Sequence, residues 1–397
     1  MVYLFDAGFW SNLNAFAISL FSLGLYVAFA HFLTKEQYGT YQYLLSFFSI
    51  ATGFTLTGMN TAVTRAVAQG KEGTMRASVP LQIKYGAIPL LGALLFSFYY
   101  WHAGNTTLAL GLVTIGVFTP LLYAYNSFNS LFMGRKDFRT ATLLGVAGNV
   151  FYYGLLALAA ILSGSPLIIL AVNLGVQTLI YLVLYLYTLR HYKPNNEVDE
   201  EALAYGLHLS GLGAFASVAA QMGNVFIFHF LGPVPLALYA FASAVPERLG
   251  NLSFKFLGSA LLPKFAERDV HAVRKQILSK MLWAFAAGAV IALCYITIAP
   301  FFFMLFFPAY VSAIKLSMFL AIGLALSAPI YIPMTALTAL GNKRGLYIFN
   351  IVNPFIYITF PLVGIYFGGL WGYAVTHLLS IIVSVTVLTV LVFKTGE

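Results

Sequence analysis

Arg248 and Lys255 stand inside one long apolar run that starts near Pro235, with Asn251 between them and Ser259 beyond. Steps of three, four and four place these side chains on one stripe of a helix. At 1.5 Å per residue, Arg248 lies roughly 20 Å from the start of the run, past the middle of a bilayer core about 30 Å thick. An ionisable group at that depth costs about 2.5–3.5 kcal/mol on insertion scales, so its presence calls for a compensating role. Two cations on one face suit a water-filled cavity that attracts anions. The acid beside them, Glu247, points about 100° away around the helix. It reads as a proton or cation site, or as a counter-charge to another helix.

Further polar groups recur at helical spacing. Ser210, Ser217, Gln221 and Asn224 form one such stripe, the first segment offers Asn12, Ser19 and Ser22, and the second ends with Thr57, Asn60, Thr64 and Arg65. Small and polar residues also glue transmembrane helices together. That plainer reading suits the Ser and Thr positions, and both readings stand for Asn12, Asn60, Gln221 and Asn224. His31, His229 and His377 lack ligand spacing, so packing suits them better than a metal. Cys294 is alone and makes no intrachain disulfide. No GxSxG elbow, phosphate-cradling loop or paired-acid motif is present, so neither an enzyme nor a cofactor is expected.

The elements that hold these residues follow from composition. Charged residues make up 8% of the 397, hydrophobic ones 60%, and mean hydropathy is +0.87. A soluble chain of this length needs far more polar surface. Twelve segments approach the about 20 apolar residues a membrane helix requires: 9–33, 40–66, 84–102, 107–133, 140–162, 166–189, 207–231, 235–261, 281–306, 313–340, 346–367 and 370–393. The runs are continuous, without the period-two alternation of a β-barrel, and the expected fold is an all-α polytopic membrane protein. Ala28-Phe29-Ala30 resembles a signal-peptidase site, but no Lys or Arg precedes Lys35, so the first segment is expected to remain as a membrane helix.

With both termini cytoplasmic, inside connections and adjacent helix ends hold 17 of the 21 Lys and Arg, Lys71, Arg135, Lys275 and Arg344 among them. Only Lys35 and Lys315 fall outside, a strong positive-inside bias. The formal charge of +9 is thereby explained without nucleic acid. The most polar stretch, 191–206, reads as a solvated cytoplasmic linker between six-helix lobes at 1–190 and 207–397. The lobes echo each other: His31-Phe32-Leu33 with Tyr41 matches His229-Phe230-Leu231 with Tyr239, and Gly134-Arg135-Lys136 matches Gly341-Asn342-Lys343-Arg344. Parallel repeats of this kind place a substrate site between the halves near the midplane.

Phe32-Leu33-Thr34-Lys35-Glu36-Gln37-Tyr38-Gly39-Thr40-Tyr41, followed by Gly58-Met59-Asn60-Thr61-Ala62, resembles the opening of the Wzx-type polysaccharide biosynthesis flippases. Ala237-Leu238-Tyr239-Ala240, Leu261-Leu262-Pro263-Lys264 and Leu340-Gly341-Asn342-Lys343 are similar to that family in its later parts. Their order along essentially the whole chain carries the likeness, since each motif is short. The resemblance implies membership of the multidrug/oligosaccharidyl-lipid/polysaccharide (MOP) exporter superfamily, a MATE-like fold and alternating access. It further implies flipping of a polyprenyl-pyrophosphate-linked glycan across a prokaryotic cytoplasmic membrane, beside glycosyltransferases and a polymerase. Cations in the cavity would attract the pyrophosphate, a role open to Arg248 and Lys255. Two departures stand out: many relatives have fourteen helices, and the basic residues usual early in helix one are replaced by Asp6, Asn12 and Asn14. A cation-coupled efflux pump of the same superfamily is the alternative.

Overall fold

The computed structural model describes residues 2–211, 214–267 and 270–394, without the side chains of 2–7, 11, 211, 251–260, 263, 266, 270 and 271. Regular structure among them is helical: α1 (Val2–Phe32), α2 (Lys35–Gly53), α3 (Met59–Ala68), α4 (Thr74–Tyr85), α5 (Ala87–His102), α6 (Thr106–Tyr125), α7 (Ser127–Gly134), α8 (Phe138–Ser163) and α9 (Pro166–His191). There follow α10 (Glu200–Gly211), α11 (Ala214–Leu231), α12 (Pro233–Ala266), α13 (Val270–Phe306), α14 (Ile314–Ser327), α15 (Tyr331–Ala339) and α16 (Lys343–Phe393). Nine helical stretches among the described residues are long and apolar enough to cross a membrane. The chain is an all-helical, multi-span membrane protein.

Helices prevail because lipid offers no partner to a backbone amide or carbonyl, so each span must satisfy its own. The ends are closed by side chains. Thr34 and Gln37 form a reciprocal capping box at α2, with bonds of 3.2 and 2.9 Å. Asn105, Asp137 and Asn342 cap α6, α8 and α16. The echo between Lys136 and Gly341 is structural: both adopt φ 63°. In each turn the following amide reaches back five residues, Asp137 to Phe132 at 2.9 Å and Asn342 to Leu337 at 3.0 Å. These are two copies of one Schellman turn. They align Lys136 with Gly341, two residues off the register expected from Gly134 and Gly341.

The last stretch, 51 residues long, is two helices in one. Gly368 and Gly369 break it, Gly369 at φ 54° and ψ −136°, a conformation closed to side-chain-bearing residues. The reversal lets Gly364 and Gly372 meet, and a Cβ on Gly372 would overlap the Gly364 backbone. This separates the expected segments 346–367 and 370–393.

Two compact units emerge, Met1–Gln221 and Met222–Glu397. The division falls inside the expected seventh segment because α10 packs on α3 of the first unit, with Gly206 against Met59 and Ser210 Oγ 3.0 Å from the Gly58 amide. The first unit is centred on Met59, Val63, Met75, Leu131 and Phe132, the second on Phe265, Ile277, Ala321, Ile332 and Leu388. Large apolar side chains cover outer faces, including Leu162, Trp283, Phe301 and Phe367, as lipid permits.

The polar stretch expected as a linker, 191–206, lies inside the first unit and is held down. Arg135 grips Glu72 with two bonds of 2.7 Å and reaches the Tyr192 carbonyl at 3.2 Å. Asn195 accepts from the Glu72 amide at 3.1 Å and donates to the Gly70 carbonyl at 2.6 Å. Arg76 donates to the carbonyls of Pro194 and Asn195. Lys71 pairs with Asp199 at 3.1 Å, and Asp199 caps α10 through the Ala202 amide. Gly73 leaves room for the backbone of Asn196. Residues 192–199 are thus clasped to the turns after α3 and α7 and to the start of α4.

Candidate functional site

Helix α12 presents Tyr239, Ser243 and Glu247 at steps of four, hence on one face. Ser243 stands between Tyr239 and Glu247, one turn from each. From the second part of α16, the Tyr373 hydroxyl donates to that of Tyr239 at 3.3 Å. The two rings meet edge to face at 4.9 Å. His377, one turn further, stacks on Tyr373 at 5.8 Å and 8°, with Tyr357 at 6.0 Å on another side. Gly223 on α11 makes this possible, since the Tyr373 hydroxyl lies where a Cβ would be.

Of these groups, Tyr239, Ser243, Glu247 and His377 open onto a cavity of about 240 Å³ within the second unit. Tyr239, Ser243, Glu247, Ser327, Tyr331 and His377 furnish its polar wall, and Leu320, Leu324, Leu378 and Ile381 its apolar one. Gly250 and Gly323 bring the helices together, a Cβ there meeting Leu324 at 3.3 Å and Leu378 at 3.1 Å. Glu247 is exposed to this space.

The sequence-expected residues are placed as follows. Arg248 is half-buried and its charge acts on Glu247, but the described lining passes from Glu247 to Gly250 without it. The side chains of Asn251, Lys255 and Ser259 lie outside the described residues. Asn224 is half-buried on α11 of the same unit, while Gln221, one turn earlier and also half-buried, ends the first unit. Asn12, Asn60 and Arg65 belong to the first unit. Asn12 is exposed on α1. The Asn60 carbonyl takes bonds from Ser130 and Thr64, while its buried Oδ1 has no partner among the described residues. Arg65 is exposed, its guanidinium 6.0 Å from the Tyr205 ring.

Sequence reasoning passed over Tyr239, Ser243, Tyr331 and His377 as cavity groups, and Tyr373 as the residue behind Tyr239. The signal for α12 was present, since Tyr239, Ser243 and Glu247 share a face as clearly as Arg248, Asn251 and Lys255 do. Tyr331 and the Tyr373–His377 pair arrive from distant helices and left no local trace.

In the first unit, the position matching Tyr239 is Tyr41, and it is closed by neutral groups. Asn173 Nδ2 donates to Tyr41 at 2.6 Å, and the Tyr152 hydroxyl donates to Asn173 Oδ1 at 2.9 Å. Both networks tie the helix carrying the repeat tyrosine to the last long helix of its unit. Only the second adds a carboxylate among the described partners.

The profile of the polysaccharide biosynthesis protein family matches residues 5–268. The chain belongs to that family. Among curated proteins none matches the sequence. Of solved structures, an inward-facing multidrug resistance MATE family transporter of the MOP superfamily superposes with a TM-score of 0.73. The two are 15% identical, with 96% of each chain covered. The lipid II flippase MurJ in an inward closed conformation gives 0.66 at 14% identity, covering 95% of this chain and 86% of its own. A MOP superfamily transporter from Pyrococcus furiosus, described as having a binding pocket of reverse polarity, gives 0.53 at 15%, covering 98% and 92%. The fold is therefore that of the MOP superfamily. This member of the polysaccharide biosynthesis protein family shares the fold of those MOP-superfamily proteins.

Proposed function

We propose that the protein flips a polyprenyl-pyrophosphate-linked oligosaccharide from the cytoplasmic to the outer leaflet of a prokaryotic cytoplasmic membrane by alternating access. The observation that carries this is the family match over 5–268 on a chain with the MOP fold. Twelve spans, six on each side of the linker and both termini cytoplasmic, complete the topology, supported by the division of the last helix at Gly368 and Gly369 and by the basic connections. Arg248 and Lys255 supply the positive pole for the diphosphate, where a guanidinium can donate two parallel charge-assisted bonds. Asn251, Asn224, Gln221, Asn12, Asn60 and Arg65 serve as further substrate contacts. Glycosyltransferases that build the lipid-linked glycan and a polymerase that consumes it are the expected partners.

A second reading, a cation-coupled efflux pump, is favoured by the exposure of Glu247 to a cavity, where a carboxylate can exchange a proton or cation. Proteoliposomes separate the two. The flippase reading expects a lipid-linked oligosaccharide loaded on one leaflet to become accessible on the other, at a rate that depends on the protein. Export of cationic dyes driven by an ion gradient, with no movement of any lipid-linked glycan, would replace it with the second.

A further inference from the structure

The cavity of the second unit combines properties that a single small ligand must match. Its volume, about 240 Å³, is several times the ~30 Å³ share of a water molecule. It sits just below the roughly 300–1,000 Å³ of pockets for drug-sized ligands. Its polar wall mixes an acceptor, the Glu247 carboxylate, with groups that both donate and accept: the hydroxyls of Ser243, Ser327, Tyr239 and Tyr331. Its opposite wall is aliphatic, from Leu320, Leu324, Leu378 and Ile381. The polar side is partly ordered before any ligand arrives: the Tyr373 hydroxyl donates to that of Tyr239 at 3.3 Å, and Ser243 and Glu247 continue the same face of α12. Gly223 fixes the first member by admitting its hydroxyl.

A bare cation fits this description poorly. Hard cations gather several oxygens, usually more than one of them anionic, at short range, and among the described residues no three His, Cys, Asp or Glu converge on one point. A lipid tail would set hydrocarbon against the Glu247 carboxylate, at a cost. A pyranose ring answers both walls: its hydroxyls donate to the carboxylate and exchange bonds with the other hydroxyls, and its C–H face lies against the leucines.

We propose that this cavity is a monosaccharide subsite, in which Glu247 and Ser243 hold the hydroxyls of one sugar ring of the transported glycan. The proposal rests on the flippase reading and deepens it. Glu247 then acts as a specificity group that accepts sugar hydroxyls, and Arg248, on the neighbouring face, is left to the diphosphate.

The test uses the full chain in lipid nanodiscs and a panel of free monosaccharides: glucose, galactose, N-acetylglucosamine, rhamnose and glucuronate. Saturation-transfer NMR is expected to show ring protons of at least one sugar in saturable contact with the protein. Glu247→Gln and Ser243→Ala should each weaken that signal about tenfold or more while the melting temperature without sugar holds. Should Glu247→Gln fail to fold, the milder Glu247→Asp and Tyr331→Phe are expected to weaken binding in the same assay. No saturable contact with any sugar, or contact undiminished in well-folded variants, overturns the proposal. A Glu247-dependent melting shift with sodium or protons and none with sugars overturns it in favour of a cation site. Glycan flipping in proteoliposomes separates the two levels: flipping without sugar contact removes the subsite and keeps the flippase reading, whereas dye export without flipping removes both.

Discussion

Arg248 and Glu247 are neighbours in sequence with separate surroundings. Glu247 lies on the Tyr239–Ser243 face and reaches the cavity, while Arg248 turns off that lining yet still acts on Glu247 by charge. If Arg248 holds the diphosphate, Arg248→Ala loses a hydrogen bond to a charged group worth about 1.5–3 kcal/mol. That corresponds to flipping slowed roughly ten- to hundredfold at unchanged membrane expression, read in proteoliposomes. Arg248→Lys keeps the charge without the planar fork and should recover part of the rate. Full transport by Arg248→Ala removes it from the substrate site. A misfolded Arg248→Ala restored by neutralising Glu247 as well would show a structural pair.

Among elements, the break in α16 and the clasped segment 192–199 each depend on few residues. Gly369 holds φ 54°, whereas Gly368 has a negative φ and open space around its Cβ position. Gly369→Ala should therefore cost about 1–3 kcal/mol of strain and lower the melting temperature, while Gly368→Ala leaves it nearly unchanged. Equal effects would place the break elsewhere. In the clasp, Arg135 holds the Glu72 carboxyl below its usual value of 4.5. A depressed carboxylate stabilises fully above that value, and the gain disappears as pH falls through the lower folded value. Amide exchange over 192–199 should stay slow from neutral pH down to about 4.5 and accelerate below it. Glu72→Gln should show the faster exchange already at neutral pH. Because the pair is partly exposed, the loss is of the order of 1 kcal/mol, enough to loosen the segment without unfolding the unit. Exchange indifferent to both pH and Glu72→Gln would show that the clasp does not hold the linker.

For the whole molecule, the charge distribution commits the topology. In a Cys294→Ser background, single cysteines at Lys71, Arg139 and Lys275 should resist an impermeant thiol reagent in intact cells, and one at Lys35 should react. Outside labelling at any of the first three, or protection of the fourth, contradicts twelve spans with cytoplasmic termini. The clasp adds a condition on dividing the chain after Asn196. Lys71 and Asp199 then sit on different fragments, so co-expressed 1–196 and 197–397 should restore some transport, and Lys71→Ala should lessen that restoration. Degradation of both fragments even together would count against two separately inserting halves.

The sequence by itself determined the membrane class, the helical segments and the presence of polar groups within them. These are local properties: about 20 apolar residues in a row, caps such as Thr34 and Asn342, and charges collected in connections need no distant partner to be read. It also held the repeat, although the register of its Lys136 and Gly341 turn emerged only from backbone angles and bonds. The tertiary structure decided which face of α12 meets a cavity. Two faces of that helix carry polar stripes, and periodicity alone assigns no preference between Glu247 and Arg248. The choice depends on Leu320, Tyr331 and His377, brought by α14, α15 and α16. The same holds for segment 191–206, whose polar composition reads as a loose loop. Its anchoring depends on Glu72 and Arg135, which are 63 residues apart in the chain and 2.7 Å apart in space.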